Sequence, residues 1–370
     1  MTTTGTPAQM EDNRAASDRA VSEGTPSGGE GIPSGDLLSK LPGTAVGSVE
    51  TAMELDLAVR AAKPLILRGL IEQWPALAAG RSSPATLNNY LKSMDRGIPG
   101  PVMEAPASTQ GRFGYTSDLR EFTFSTRQRG MSETLDRIER QLDRPQAPVV
   151  AIQMLPLATH LPDFVQQNPM SILPQIGPRL WLGGPVKTQI HNDRDHNLAC
   201  VIAGRRRFLL FPPEQVASLY IGPIDNPPPL SILDVEAPDF ARYPRFAQAL
   251  RSAQVAELRP GDALLVPRHW WHHVTSRDSY NAMVNYWWGA YPQGLENPYD
   301  CFLSALLALK DLPRSERIYW QAMFAAYVFQ AEGSAIEHIP PELRGALGTM
   351  LPGVRAVLKQ KLRASFGSST

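Results

Sequence analysis

The chain has 370 residues, 36 basic and 36 acidic, and 43% of it is hydrophobic. That length holds one large domain with extensions or two modest ones, and the apolar share supports a buried core. Balanced charge leaves no electrostatic footprint for nucleic acid or an anionic membrane. Two cysteines exclude a disulfide framework or a Cys-rich zinc site, and no apolar run approaches the roughly eighteen residues of a membrane span.

The start lacks an apolar segment behind basic residues, so no signal peptide is expected and a cytoplasmic protein is the default. Residues 1–35 are polar and rich in Gly, Ser, Thr, Pro and Glu. They cannot bury enough apolar area to offset ordering and read as a disordered tail. Residues 36–148 read as helices and strands that pack on a β-rich body beginning at Val149. A helix is predicted over 51–62, a short buried strand over Pro64–Arg68, and a short helix carrying Trp74 over 70–79. Ser83-Pro84 supplies an N-cap and a first-turn proline for the next helix. Residues 101–125 alternate weakly, as strands or a hairpin would. From Met131 to Leu142 apolar residues recur at helical spacing.

From Val149 the pattern becomes β. Short strands are predicted at Val149–Met154, Arg179–Leu182, Asn197–Ile202, Arg207–Phe211, Ala263–Val266 and Asn281–Trp288. Gly183-Gly184, Gly204, Pro212-Pro213 and Pro260-Gly261 punctuate them. Many short strands suggest a barrel or jelly roll over 149–290. An insert at 213–255 reads as short helices, with Pro227-Pro-Pro229 as a loop. Residues 291–370 read as helical. Two stretches there, 301–309 and 317–329, are apolar nearly all round and must be covered, which points to packing on the barrel and to a homodimer through these helices. Cys200 and Cys301 lie in apolar runs and read as small buried hydrophobes.

The chemistry centres on His191-Asn-Asp193. Two residues apart on an extended strand, the imidazole and the carboxylate face one side. His272, in Pro267-Arg-His-Trp-Trp-His-His273, offers a second imidazole from a later strand. Two histidines and one carboxylate form the facial triad of non-haem Fe(II) oxygenases, which leaves coordination positions open. Parity adds inward candidates. Asn281, Met283, Asn285 and Trp287 share one face, and Asn197 shares one with Ala199 and Val201. Of Arg205, Arg206 and Arg207, only Arg206 shares parity with Phe208 and Leu210. A buried guanidinium needs an anion, which a dicarboxylate co-substrate would supply. Taken singly these signals are weak: His272 and His273 fit a core pair, and the arginines fit a solvated turn. His191-Asn-Asp193-Arg-Asp195-His196 also partly mimics the HxHxDH of zinc hydrolases related to metallo-β-lactamases, with Asp193 where the second histidine belongs.

Taken in order, Thr188-Gln-Ile-His191-Asn-Asp193, Asn197, Gly204-Arg-Arg-Arg-Phe-Leu-Leu-Phe-Pro-Pro-Glu-Gln215, Pro260-Gly-Asp-Ala-Leu-Leu-Val-Pro267, Trp270-Trp-His272-His-Val and Val284-Asn-Tyr-Trp287 resemble the cupin-like Jumonji-C oxygenases. The likeness runs from about Pro64 to Gly289 and is greatest to the group of the asparaginyl hydroxylase that inhibits hypoxia-inducible factor. It implies a mainly β double-stranded β-helix (jelly-roll/cupin barrel) with flanking N-terminal α/β elements and a C-terminal helical segment. It implies a dioxygenase using Fe(II), 2-oxoglutarate and O2 to hydroxylate a protein or peptide side chain or a small molecule. By position, His191, Asp193 and His272 would bind Fe(II), with His273 turned away. Thr188 and Arg206 would hold the distal carboxylate of 2-oxoglutarate, and Asn197 and Asn285 would stand beside the metal and co-substrate. Two departures stand out: Arg206 replaces the family's lysine, and Ala151 or Val150 stands where a tyrosine is usual. These leave room for a metal-binding cupin without 2-oxoglutarate, or for a dimeric interaction protein with a vestigial site.

Overall fold

Short aliphatic segments separated by glycine and proline assemble here into two sheets. The computed structural model describes residues 38–144, 146–224, 229–289, 291 and 295–367. The tail read at 1–35, and Pro227 and Pro228 of the insert, lie outside the described residues. The chain divides into two compact units, the first ending at Trp287 and the second beginning at Trp288.

In the first unit the elements run β1 (Val46–Gly47), α1 (Ala52–Arg60), β2 (Leu65–Leu67), α2 (Pro75–Ser82), α3 (Pro84–Lys92), β3 (Gly100–Ala105), β4 (Arg112–Phe113), β5 (Ser125–Arg129), α4 (Met131–Gln141), β6 (Val149–Pro156), α5 (Leu157–His160), α6 (Pro162–Gln167), β7 (Arg179–Gly183), β8 (Lys187–Asn192), β9 (His196–Ala203), β10 (Arg206–Phe211), α7 (Phe246–Arg251), β11 (Gln254–Leu258), β12 (Ala263–Val266), β13 (Trp271–Ser276) and β14 (Asn281–Trp288). Nine strands form one sheet, ordered β1-β2-β12-β9-β14-β7-β6-β3-β5, and five form the other, ordered β11-β10-β13-β8-β4. Neither closes on itself; together they make a jelly-roll, cupin-type fold with helices around it. The segment before Val149 does more than pack on this body: β1, β2, β3 and β5 extend the larger sheet, and β4 joins the smaller one.

Local chemistry sets many boundaries. Thr51 and Glu54 form a capping box that starts α1, and Ser83 Oγ accepts from Thr86 N at the head of α3, each satisfying a backbone donor that the first turn leaves free. In α4, Met131, Leu135 and Ile138 are buried on one stripe. Every residue of β12 and β13 is buried, as expected where both faces of a strand are covered.

Several expectations are corrected. The helix expected over 70–79 begins only at Pro75, with Trp74 as its N-cap. Strand β3 pairs with β5 and β6, not with β4 in a hairpin. The β5 sequence, Ser-Thr-Arg-Gln-Arg, is almost wholly exposed, so no apolar alternation marks it. The insert ends before Gln254, which already belongs to β11.

The turn between β9 and β10 carries the chain from one sheet to the other. Gly204 sits there at φ +67, and a Cβ at this position would lie 2.3 Å from the Tyr280 carbonyl oxygen. Both the left-handed backbone and the close approach require glycine. Gly204→Ala is expected to cost about 2–4 kcal/mol, from backbone strain plus a backbone clash, read as a lower urea midpoint at unchanged slope.

The second unit holds α8 (Pro298–Leu309), α9 (Arg314–Met323) continued by a π-helical turn at Phe324–Val328, and α10 (Pro352–Gly367). Leu307 is 84% exposed and Phe329 72%, so the all-round apolar pattern is not buried within the second unit itself. Cys301, expected to be buried, is exposed; it lies on α8, which has no buried residue. Among the described residues, no helix is long and apolar enough to cross a membrane.

Candidate metal centre and its cavity

Strands β8 and β13 run antiparallel with His191 directly opposite His272. Opposed residues of such a pair share a face, and the two imidazole centroids lie 4.3 Å apart. Asp193 is the first residue past the end of β8, so it is placed by a strand end and not by strand alternation. Its Oδ2 is 3.7 Å from His272 Nε2. One donor atom from each of His191, Asp193 and His272 lies within 4.8 Å of the other two.

Backbone carbonyls aim both rings. His191 Nδ1 is 2.8 Å from the Gln189 oxygen and His272 Nδ1 is 3.0 Å from the Trp270 oxygen. A proton on each Nδ1 leaves each Nε2 lone pair for a metal. The carboxylate is held by amides. Asn197 Nδ2 donates to Asp193 Oδ2 at 3.1 Å, and Asn285 Nδ2 donates to Asn197 Oδ1 at 2.7 Å. The Asp193 carbonyl accepts from His269 N at 2.9 Å, and His269 itself adopts φ +69, a strained conformation for a side-chain-bearing residue.

Burial drives the His272 pKa down to about 4, with the nearby His191 adding to the effect, so the ring is neutral at pH 7 and able to ligate. His273 is pushed down to about 3, again chiefly by burial. It stands opposite Leu209, outside the cavity lining, and feels the charges of Asp234, Arg112 and Lys187. Asp195 is exposed, and the two His196 ring nitrogens lie 3.1 and 3.2 Å from Arg268 N and Nε. Neither residue joins the metal-ligating group, which removes the support for a zinc-hydrolase arrangement.

His191, Asp193 and His272 open into a cavity of about 360 Å³, which Thr188, Asn197, Arg206 and Asn285 also line. All seven candidate residues therefore face one space. Of the three arginines, Arg205 pairs with Asp278 at 2.6 Å and Arg207 with Glu257 at 2.5 Å on the surface, while Arg206 turns inward and is buried. Desolvation pulls its pKa down to about 10, which leaves it a cation at neutral pH. Its Nε has no hydrogen-bond partner. A buried cation with an unmatched donor fits an anionic ligand.

Among the lining residues that parity reasoning missed are Trp181 and Met154. Trp181 stands opposite Met283, so β7 could have been read in the same register as β14. Met154 has no such signal. The β6–β7 pairing shifts between Ile152 and Leu155, and Met154 adopts φ +56. This bulge decides which β6 residue reaches the cavity. Neither Val150 nor Ala151 lines it; Ala151 is packed against Phe113 and Val186.

A jelly roll that gathers two imidazoles and a carboxylate beside one cavity defines a cupin-type fold with a group of side chains that could hold a metal ion. The match to known families agrees: residues 51–294 fit the family described as the cupin-like domain, and the chain belongs to that family. It is similar to a protein named lysine-specific demethylase JMJ31 from Arabidopsis thaliana, 32% identical over 141 residues, covering 38% of this chain and 25% of the relative. It is similar to human HSPB1-associated protein 1, 40% identical over 112 residues, covering 29% of this chain and 22% of the relative. The likeness to the human bifunctional peptidase and (3S)-lysyl hydroxylase JMJD7 is 27% over 259 residues, covering 61% of this chain and 77% of that protein. The chain thus spans about a quarter of the length of the first two relatives.

The buried histidines predict the pH response of the metal-free protein. Both have folded pKa values below the unfolded 6.5, so the unfolded chain takes up protons first. Their stabilising contribution is complete above pH 6.5 and is lost as pH falls through about 4 and then about 3. Between about pH 6 and 4, each histidine costs roughly 1.4 kcal/mol per pH unit. Urea unfolding at several pH values should show this slope, and His273→Gln should remove about half of it. A flat profile across that range would contradict the burial argument.

Proposed function

We propose that the protein is an Fe(II)- and 2-oxoglutarate-dependent dioxygenase that hydroxylates a protein or peptide side chain. The carrying observation is one cavity with the His191–Asp193–His272 group at one end and the buried Arg206 guanidinium further in. Two imidazole nitrogens and one carboxylate oxygen suit a divalent iron and leave other positions free. When bound, Fe(II) with 2-oxoglutarate and O2 supplies the oxidising power for a C–H bond; the protein supplies binding, orientation and exclusion of water.

The residues divide that work. His191, Asp193 and His272 would hold the metal, and the Asn285–Asn197–Asp193 chain fixes the carboxylate's orientation. Arg206 would receive the distal carboxylate of 2-oxoglutarate, with Thr188 beside it. Register supports the length: along β10 and β13, His272 stands opposite Leu210, Val274 opposite Phe208 and Ser276 opposite Arg206. The arginine backbone is therefore two inward positions below the metal ligand, about 13 Å along the strand, and its long side chain leads back into the cavity. An arginine that filled this space would favour a metal site without a co-substrate; the cavity instead runs from the ligands to Arg206.

For the substrate, Met154, Trp181, Met283 and Trp287 give the cavity an apolar, polarizable wall, suited to the aliphatic part of a side chain. Two of the relatives carry names that refer to lysine modification. The equal numbers of basic and acidic residues favour a protein or peptide over nucleic acid, with a small molecule as the second choice.

A second copy of the chain is the proposed partner. Leu307, Ile318, Tyr319, Val328 and Phe329 are each more than half exposed, on α8, α9 and the turn that continues α9, which also bear an apolar groove lined by Phe302, Leu306 and Trp320. Exposed apolar surface of this kind marks interaction sites.

Asp193→Ala should weaken Fe(II) binding by about 100-fold or more and abolish succinate formation. Arg206→Met should leave the metal affinity intact and raise the KM for 2-oxoglutarate by roughly two orders of magnitude, because it removes a charge-assisted pair. Anaerobic titration with 2-oxoglutarate, followed by the weak visible charge-transfer band, separates the two effects. Absence of the band in the wild-type protein, with no succinate and no peptide gaining one oxygen by mass spectrometry, would overturn the reading. Light scattering should give the mass of a dimer for the full chain and of a monomer for Leu306→Glu; a monomeric wild type would refute the pairing.

A further inference from the structure

We infer that Asp195 is a specificity-determining residue at the mouth of the cavity, where its carboxylate selects a substrate side chain that ends in a cation, an ammonium or a guanidinium. The inference rests on the oxygenase reading and deepens it by naming the class of side chain. Asp195 lies in the turn between β8 and β9. It lines the same cavity as His191, Asp193 and His272, yet it is an exposed residue. A residue that is both exposed and part of the lining stands where the cavity opens. Met154, which is 40% exposed, marks the same opening from β6.

Charge is sorted along this cavity. Arg206 is its buried cation, and Asp193 is committed to Asn197 and to the candidate metal group. Asp195 has no such commitment: its carboxylate makes no hydrogen bond or ion pair among the described residues. The next residue, His196, turns both ring nitrogens toward Arg268. Below the mouth the wall is apolar and polarizable, built by Met154, Trp181, Met283 and Trp287. The two indoles stand nearly perpendicular, at 84° with centroids 5.9 Å apart. The methylenes of a long basic side chain gain from such a wall, while the charged head stays near water at the rim, where a carboxylate can pair with it. Two like charges border this path. Arg179 is drawn onto the Trp287 ring, 5.6 Å from its centroid, and Arg194 shares the rim with Asp195. Opposite charges at the two ends also keep two organic ligands apart. The rim carboxylate repels the distal carboxylate of a keto acid, which Arg206 attracts, and Arg206 repels a cationic head from the inner end.

Calorimetric binding to the full-length chain loaded with Zn(II) and 2-oxoglutarate tests this without turnover. The probes are three end-blocked peptides of alanine with one central lysine, norleucine or glutamate; norleucine keeps the apolar stem and lacks the charge. The wild type should bind the lysine peptide about three- to five-fold more tightly than the norleucine peptide, the scale of one partly exposed ion pair, and the glutamate peptide more weakly than either. High salt should shrink the preference. Asp195→Asn should remove it and leave the affinities for the norleucine peptide, Zn(II) and 2-oxoglutarate unchanged. Asp195→Glu should keep it, and Arg194→Gln should enlarge it. A wild type that binds none of the peptides, or favours norleucine or glutamate, would overturn the role of Asp195, as would an unchanged preference in Asp195→Asn. Equal weakening of all three peptides in that variant, or lost Zn(II) affinity, would make the residue structural and overturn it too. The wild-type affinity for 2-oxoglutarate, titrated first into the Zn(II)-loaded chain, separates the two readings: if it binds, a failed peptide preference leaves the oxygenase reading standing, and if it does not, both fall.

Discussion

The antiparallel register of β8 and β13 is the constraint on which the site depends. It sets His191 across from His272 and so brings together two side chains some eighty positions apart in the chain. A slip of one residue would turn His272 to the other face and bring His273 inward. That slip is opposed on both sides. Strand β10 pairs with β13 over six residues, and the Trp270 and Gln189 carbonyls hold the two rings by Nδ1. The two candidate imidazole ligands are therefore positioned by backbone hydrogen bonds, which would limit the reorganisation that metal binding requires.

Many polar groups inside the jelly roll are handled by pairing. Asp193, Asn197 and Asn285 satisfy one another in a line. Arg68 donates to the buried Asp262 at 2.5 Å, and Tyr280 donates to Asn88 at 2.6 Å. Against that background the unmatched atoms are informative. Arg206 Nε, Asn285 Oδ1, Trp181 Nε1 and Trp287 Nε1 have no partner, and all four residues line the one cavity. Among the described residues Thr44, Gln215, Ser276 and Asn281 also carry an unmatched buried atom, outside the lining of that cavity, so the unmatched atoms are only partly gathered where a ligand would bind.

Two strained residues border the same place. His269 and Met154 take positive φ without being glycine; one lies in the loop that holds the Asp193 carbonyl, the other in the β6 bulge that reaches the cavity. Residues in such conformations persist only when their surroundings over-determine them. The second unit obeys a different logic. Its α8 and α9 helices carry no buried residue, so their apolar faces form no core of their own.

Much of the site was legible in one dimension. Strand parity assigned Asn197, Arg206 and Asn285 to the inside, because side chains alternate strictly along an extended backbone. The motif of His191 and Asp193, with His272 later, marked three residues that the fold brings together, although Asp193 stands past the end of its strand and not in its alternation. Glycine and proline marked most turns. What could not be read was anything that breaks alternation or lacks an apolar signature. The bulge put Met154, instead of Ala151 or Val150, in the cavity. The polar strand β5 paired with β3 unannounced, and β4 crossed to the smaller sheet. Local composition determined which residues could serve as ligands and which faces were apolar. Only tertiary pairing decided which of them meet, because register between distant strands is set by the summed hydrogen bonds and packing of whole sheets, a quantity no single segment encodes.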